Sequence, residues 1–301
     1  MTPAHPRRTR GRTRSAAVPI GFVLLAALLL TACGRSSYQY DWNIVVDSVI
    51  RPDHLILSGI WLTLSISVIS QLIGVVLGVF GAIGRIARLA PVRWLASFYV
   101  WFFRGTPLLV QITFIFYGLG VTGVYRWPEL TILSITIGGA IQAGIVALAL
   151  NEGAYMTEIV RAGILAIDPG QMEAAKSLGM TYRKAMRRIV LPQAARVIVP
   201  PLGNEFNNML KTTSLLVVIS VPELYVTFSR KNASGPTVFH PFELFIAAAI
   251  WYLFLTSVWG IIQARIERRL ARGTNAVVNA APSMRDRLFG SRFGSPGSGL
   301  R

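Results

Sequence analysis

Charge is scarce in this sequence, and most of it is of one sign. Of 301 residues only 14% are charged and 53% are hydrophobic, with a mean hydropathy of +0.53. Soluble domains carry about 25% charged residues. The deficit and the long apolar runs therefore exclude an ordinary globular domain and indicate an integral membrane protein. Basic residues number 30 and acidic ones 13, a net charge of +17. Nucleic acid is one destination for such an excess, but its distribution along the chain argues for membrane topology and no nucleic-acid partner. Cysteine is nearly absent: Cys33 stands alone, which excludes an intrachain disulfide. The three histidines, His5, His54 and His240, are scattered, so no His/Cys metal-ligand spacing exists and no metal site is expected. No lysine follows a glycine, which excludes a GK[ST] phosphate loop and ATP binding by that route. No catalytic residue is expected.

What is present is apolar length. A helix needs about 20 apolar residues to cross the hydrocarbon. Six segments qualify: Ala16–Cys33, Leu55–Ile83, Leu95–Val121, Ile132–Asn151, Val197–Val221 and Leu244–Ile262. With the N-terminal tail placed inside, 23 of the 30 Lys and Arg residues fall in inner segments. Five are outside (Arg35, Arg51, Arg126, Arg230 and Lys231) and two, Arg104 and Lys211, lie within spans. The opposite orientation inverts that ratio, so the positive-inside rule selects the first. Segment 34–54 is then extracytoplasmic and 168–192 cytoplasmic. Residues 273–301, rich in Gly, Ser and Pro, read as a disordered cytoplasmic tail.

Residues 1–33 admit two readings. The Arg-rich start, the apolar run and Leu30-Thr31-Ala32-Cys33 resemble a bacterial lipoprotein signal, in which Cys33 is lipidated after cleavage. The other reading is an uncleaved helix with an incidental cysteine. Either way the chain beyond residue 33 starts outside.

The cytoplasmic stretch Asp168–Pro192 is basic and punctuated. Asp168 suits an N-cap, Pro169 the first helical position and Gln171 a capping box, while Gly179 suits a left-handed stop. These predict a helix over Pro169–Leu178. Thr181 caps a second one over Tyr182–Val190, closed by Pro192. The second, with Arg183, Lys184, Arg187 and Arg188, suits an anionic lipid surface. The first is compact and little charged, which favours a groove on a partner protein.

These residues also carry a resemblance. "EAAKSLG" (Glu173 to Gly179), followed by Ile189, Leu191 and Pro192, resembles the EAA loop of ABC-importer permease subunits. "FFRGTPLLVQ" (Phe102 to Gln111), "NEGAYMTEIVRAGI" (Asn151 to Ile164) and "LKTTSL" (Leu210 to Leu215) are similar to the polar-amino-acid permeases of the histidine/glutamine/glutamate/arginine/opine type. The likeness covers roughly Leu55 to Arg272. It implies an all-α polytopic helical bundle, a five-span permease core over 55–272 preceded by an N-terminal apolar segment. It implies a small polar amino acid as substrate, a second permease subunit, a cytoplasmic ABC ATPase dimer holding ATP and Mg, and an external solute-binding protein. The match places the ATPase-coupling role on Gln171, Glu173, Ala174, Ala175 and Gly179.

Ionisable groups at membrane depth are costly and default to functional candidates. In "NEFNNMLKTTS", Asn204, Asn208 and Lys211 share one helical face, and Glu205, Asn208 and Thr212 an overlapping one. A zwitterionic amino acid needs a cation for its carboxylate and an acceptor for its ammonium. Glu205, Asn208, Lys211 and Thr212 are thus expected to line a translocation path. The alternative is that Glu205 and Lys211 neutralise each other. In "RGTP", Pro107 breaks the third candidate span, leaving Arg104 to seek a carboxylate or freed carbonyls, or to snorkel to the inner surface. The resemblance adds a gating or packing role for Arg104 and Pro107. Glu152, Glu158 and Arg161 precede the cytoplasmic stretch. Glu158 and Arg161, three apart, are expected to pair and orient it. Tryptophans such as Trp61 and Trp251 suit interfacial anchoring. Two other classes were weighed. A secondary transporter calls for inverted repeats and acids in several spans, and neither is evident. A membrane scaffold has no use for the Glu205–Lys211 cluster.

Overall fold

The computed structural model describes residues 38–132, 135–234 and 237–271. The segment Ala16–Cys33, with the lipobox cysteine Cys33, and the tail 273–301 lie outside them. Residues 38–41 are irregular, and the rings of Tyr38 and Tyr40 meet edge to face at 5.0 Å. Helix α1 (Trp42–Ile50) follows.

Helix α2 (His54–Arg85) starts on Asp53, whose carboxylate accepts the Ile56 N–H at 3.0 Å. Its 32 residues are long and apolar enough to cross a membrane, about 48 Å at 1.5 Å per residue. Its packing is inverted relative to a soluble helix. Thr63, Ser67, Ser70, Gln71, Gly74 and Gly78 are buried, while Trp61, Leu72, Val76 and Phe80 are exposed. Lipid is as apolar as leucine, so small side chains that let backbones approach mark the inward face.

Helix α3 (Ala90–Gly105) and helix α4 (Leu108–Thr113), prolonged by a π turn Phe114–Gly118 and Leu119–Val121, make a pair bent by 105° that is together long and apolar enough for a broken span or a re-entrant loop. The bend falls at the expected Pro107, and Thr106 before it is extended at φ −113°, ψ 146°. Gln111 takes the freed carbonyls, donating to Phe103 O at 2.8 Å and Thr106 O at 3.0 Å. The break is thus internally satisfied, as non-helical backbone at membrane depth must be.

The expected span Ile132–Asn151 is displaced. Strands β1 (Leu130–Ile132) and β2 (Ile135–Ile137) pair antiparallel, with Leu130 opposite Ile137 and Thr131 opposite Thr136. The two threonine hydroxyls lie 3.1 Å apart. Alternating β-branched residues suit a pleat, and an apolar run alone does not separate strand from helix. Helix α5 begins only at Gly139 and runs to Leu165. It rests lengthwise on α2. A Cβ at Gly74 would meet Glu152, at Gly78 Met156 and at Gly81 Thr157, so these glycines form the ridge that admits α5. With 27 residues, about 40 Å, α5 has the length of a span, although Glu152, Glu158 and Arg161 dilute its apolarity.

Helix α6 (Pro169–Ser177) forms as the caps predict. Asp168 accepts the Gly170 N–H at 2.8 Å, and Gly179 adopts φ +77°. Gly179 N–H on Lys176 O and Met180 N–H on Ala175 O, at 2.9 and 3.0 Å, complete a Schellman stop. Gln171 departs from the capping box: its Oε1 accepts Gln193 Nε2 at 3.5 Å. The second short helix is not closed by Pro192. Helix α7 (Tyr182–Ala185) passes through a π turn, Met186–Val190, directly into helix α8 (Leu191–Thr212). In the wider register of that turn Leu191 N–H reaches Met186 O, and Pro192 falls in the first turn of α8, where a missing donor costs little. One helix therefore runs from the basic stretch into the membrane region. Within it Pro200 and Pro201 loosen the ladder. Trp259 and Gln263 donate to Gly203 O and Pro200 O at 2.8 and 3.2 Å. A 3₁₀ segment Thr213–Ile219, helix α9 (Leu224–Ala233) and helix α10 (Pro241–Ala271) complete the body. Helix α10 is the second helix apolar and long enough to span alone, and α7 through Ile219 with α9 forms a second bent pair, at 45°. Helix α1 packs on α10, where Trp251 Nε1 donates to Ser48 O at 3.1 Å.

Candidate functional site

The α3–α4 break, α5 and α8 converge on a cavity of about 550 Å³. Glu205, Asn208, Lys211 and Thr212 all line it, because spacings of three and four along α8 share one face. Thr106 and Pro107 supply the opposite rim. From α5 come Asn151, Glu152 and Tyr155.

Glu152, which sequence reasoning placed only as preceding the cytoplasmic stretch, belongs to this lining. It stands midway along α5, 5% exposed, with Oε1 accepting from Gln71 Nε2 of α2 at 3.0 Å. Asn151 beside it donates to Phe103 O at 3.0 Å and to Gln111 Oε1 at 3.1 Å, tying α5 to the break. The available signal was its depth: an acid at the centre of a 27-residue helix.

The charges facing this cavity are unpaired. Among the described residues no ion pair joins Glu152, Glu205 or Lys211 to anything, and Glu205 and Lys211 do not neutralise each other. Arg104 reaches neither a carboxylate nor the freed carbonyls. Its guanidinium lies 5.1 Å from the ring centroid of Tyr155. Tyr155 and Pro107 line the cavity, whereas Arg104 does not.

The sequence profile of the family described as binding-protein-dependent transport system inner membrane component matches residues 74–272. The chain belongs to this family. It is 36% identical over 281 residues to the arginine transport system permease protein ArgU of Corynebacterium glutamicum, across 92% of this chain and 85% of that one. It is 40% identical to the probable glutamine ABC transporter permease protein GlnM of Bacillus subtilis, across 72% and 93%. Among solved structures it resembles one described as an amino acid ABC transporter with histidines, at TM-score 0.67 and 37% identity, covering 77% of this chain and all of that one. The relatives are thus named as amino-acid permeases, as the motifs implied.

In this multi-pass transport component the end of α5 that leads to the EAA segment is tied by charge. Glu158 pairs with Arg161 of its own helix at 2.8 Å, as expected, and also with Arg85 at the end of α2 at 3.3 Å. The five residues matched to the coupling role do not share one surface. Gln171, Glu173, Ala174 and Gly179 are exposed. Ala175 is buried, as are Ala185 and Val190 of the α7 and π-turn segment on which α6 packs. Ala175 therefore holds the two short helices together. Leu178, which sequence reasoning did not single out for coupling, is 82% exposed and is the apolar side chain this segment presents.

Proposed function

We propose that this chain is the transmembrane permease subunit of an ATP-binding-cassette importer, and that it passes a polar amino acid through the cavity between α5 and α8. The observation that carries the reading is that ionisable groups of both signs face one cavity with no ion-pair partner among the described residues. A zwitterion supplies the missing partners. Lys211 takes its carboxylate, Glu152 and Glu205 its ammonium, and Asn208 and Thr212 offer neutral polar contacts. Uncompensated charges in a low dielectric are expensive, which makes them selective for a ligand that compensates them. The named relatives, an arginine transport permease and a probable glutamine permease, agree in substrate class.

The positive-inside count puts the α6–α7 segment in the cytoplasm and the β1–β2 hairpin and α9 outside. Two ATPase subunits, with ATP and Mg, dock on α6 below, a solute-binding protein docks above, and a second permease subunit completes the path. The continuous α7–α8 helix transmits closure of the ATPases to Glu205 and Lys211, and so exposes the cavity to each side in turn. The chain itself hydrolyses nothing.

Proteoliposomes holding this chain with the ATPase and binding protein encoded beside it test the reading. Uptake of labelled L-arginine, L-glutamine, L-glutamate and L-histidine is expected for at least one of the four. The Glu152→Gln, Lys211→Met double variant is expected to lose it while the complex still assembles. An unchanged uptake profile in that variant would sink the assignment.

A further inference from the structure

Lys211 lines two cavities. One is the carboxylate-lined cavity described above. The other, about 470 Å³, lies beyond it and is walled by Lys211, Ser214, Tyr225, Phe245, Ala249 and Tyr252. Tyr225 of α9 and Phe245 of α10 stack at 5.5 Å with planes 20° apart. The Tyr252 hydroxyl is committed elsewhere, donating to Glu223 at 2.7 Å, and the Ser214 hydroxyl donates to Lys211 O at 2.7 Å. That leaves the Lys211 ammonium as the one charged group of an otherwise aromatic and small-residue pocket. Among the described residues nothing anchors that ammonium by ion pair or hydrogen bond. With α8 running outward, Lys211 comes after Glu205, and Tyr225 and Phe245 belong to the extracytoplasmic ends of their helices.

We propose that the Tyr225–Phe245 pocket is an outer station for the amino acid. There the Lys211 ammonium takes the substrate carboxylate and the aromatic pair stacks on the rest of the molecule. Rotation of the lysine stem then hands the substrate to the Glu152–Glu205 cavity. A lysine is a point charge on a flexible four-carbon stem, suited to serving two sites in turn. The carboxylate keeps its counter-ion throughout, which avoids the desolvation penalty of an unpaired charge. A cationic side chain gains further on the aromatic faces. The inference rests on the cavity being the substrate path.

The test is substrate protection of engineered cysteines in the full complex. Ala249→Cys reports on the outer pocket and Leu215→Cys on the inner cavity, with the unsubstituted chain, whose one cysteine is Cys33, as the blank. Each variant is first shown to retain uptake, and Ser214→Cys replaces Ala249→Cys if that one does not. Labelling by methanethiosulfonate ethylammonium is timed with and without the amino acid that the complex takes up. Both positions are expected to be protected, about tenfold at ten times the dissociation constant, and Lys211→Met is expected to abolish protection at 249. Protection at 215 alone would remove the outer station and leave the substrate cavity standing. Protection at 249 that survives Lys211→Met would remove the lysine hand-over. Protection at neither would overturn both readings.

Discussion

Gln71 and Glu152 meet across the α2–α5 seam, the amide donating to the carboxylate at 3.0 Å with both side chains 5% exposed. The contact aims a buried acid of α5 at the cavity. Replacing Glu152 by Gln removes the charge that receives the substrate ammonium. Hydrogen bonds to charged groups are worth about 1.5–3 kcal/mol, so kcat/KM for uptake is expected to fall roughly 10- to 100-fold. Gln71→Leu, which removes only the orienting donor, is expected to cost less. Initial uptake rates decide it, and an equal loss in both variants would make the pair structural.

The seam itself rests on Gly74, Gly78 and Gly81. Gly78→Leu drives a side chain into Met156 of α5, and overpacking of this kind costs about 1–3 kcal/mol or more. A lower yield of folded protein and a lower thermal midpoint in detergent are expected. Gly260→Leu is the control, since nothing lies within 4 Å of a Cβ there.

At the cytoplasmic end, Gly179→Ala forces a left-handed backbone on a residue with a Cβ, at about 1–2 kcal/mol. Leu178→Asp removes the exposed apolar side chain of the same turn. Both are expected to reduce binding-protein-stimulated ATP hydrolysis by the complex. Arg187→Glu with Arg188→Glu, in the basic π turn, is expected to reduce it less. If the charge reversal were the more damaging change, docking would belong to the second segment instead.

At the start of α2, Lys231 pairs with the capping residue Asp53 at 2.5 Å. Partial burial pushes the Asp53 carboxyl up, but hydrogen bonds from Lys231 and the Ile56 N–H, with the charges of Lys231 and His54, outweigh it and hold the group below its ordinary value of 3.8. A depressed carboxyl adds stability above its unfolded value and loses it as pH falls through the folded one. Lys231→Met is therefore expected to lower the thermal midpoint slightly at neutral pH, by the equivalent of less than about 1 kcal/mol for a solvent-screened pair. That difference is expected to fade below pH 3.8. A difference unchanged by acid would mean that Lys231 acts by packing.

Much of the fold was legible because it rests on local rules. The span of α2 was placed within a few residues by apolar length, and Asp168, Pro169 and Gly179 announced α6 through its caps. The errors share one cause: rules blind to neighbours. Ile132, Ile135, Thr136 and Ile137 are β-branched, and only the pairing of 130–132 with 135–137 makes these residues strands. Reading them as helix set the fourth candidate span at Ile132–Asn151, so Glu152 fell just past its end instead of midway along α5. An acid that stands midway along α5 was thus read only as one preceding the cytoplasmic stretch. Pro192 looked like a stop because its missing donor was counted against an α register, whereas the π turn before it changes the register. Ala175 was matched to a docking motif by position, and its burial depends on where α7 packs.

By itself the sequence determined that the chain is a membrane protein, where helix α6 starts and stops, and which family it resembles. Those properties follow from transfer of side chains between water and lipid and from hydrogen bonds within a few residues. Only the tertiary structure decided that Glu152 joins Glu205 and Lys211 around one cavity, that their charges stay unpaired, and that Lys211 borders a second pocket. Those facts depend on close packing of α2, α5 and α8. The glycines that permit the approach of α2 and α5 carry no side chain to advertise the helix that will fill the space.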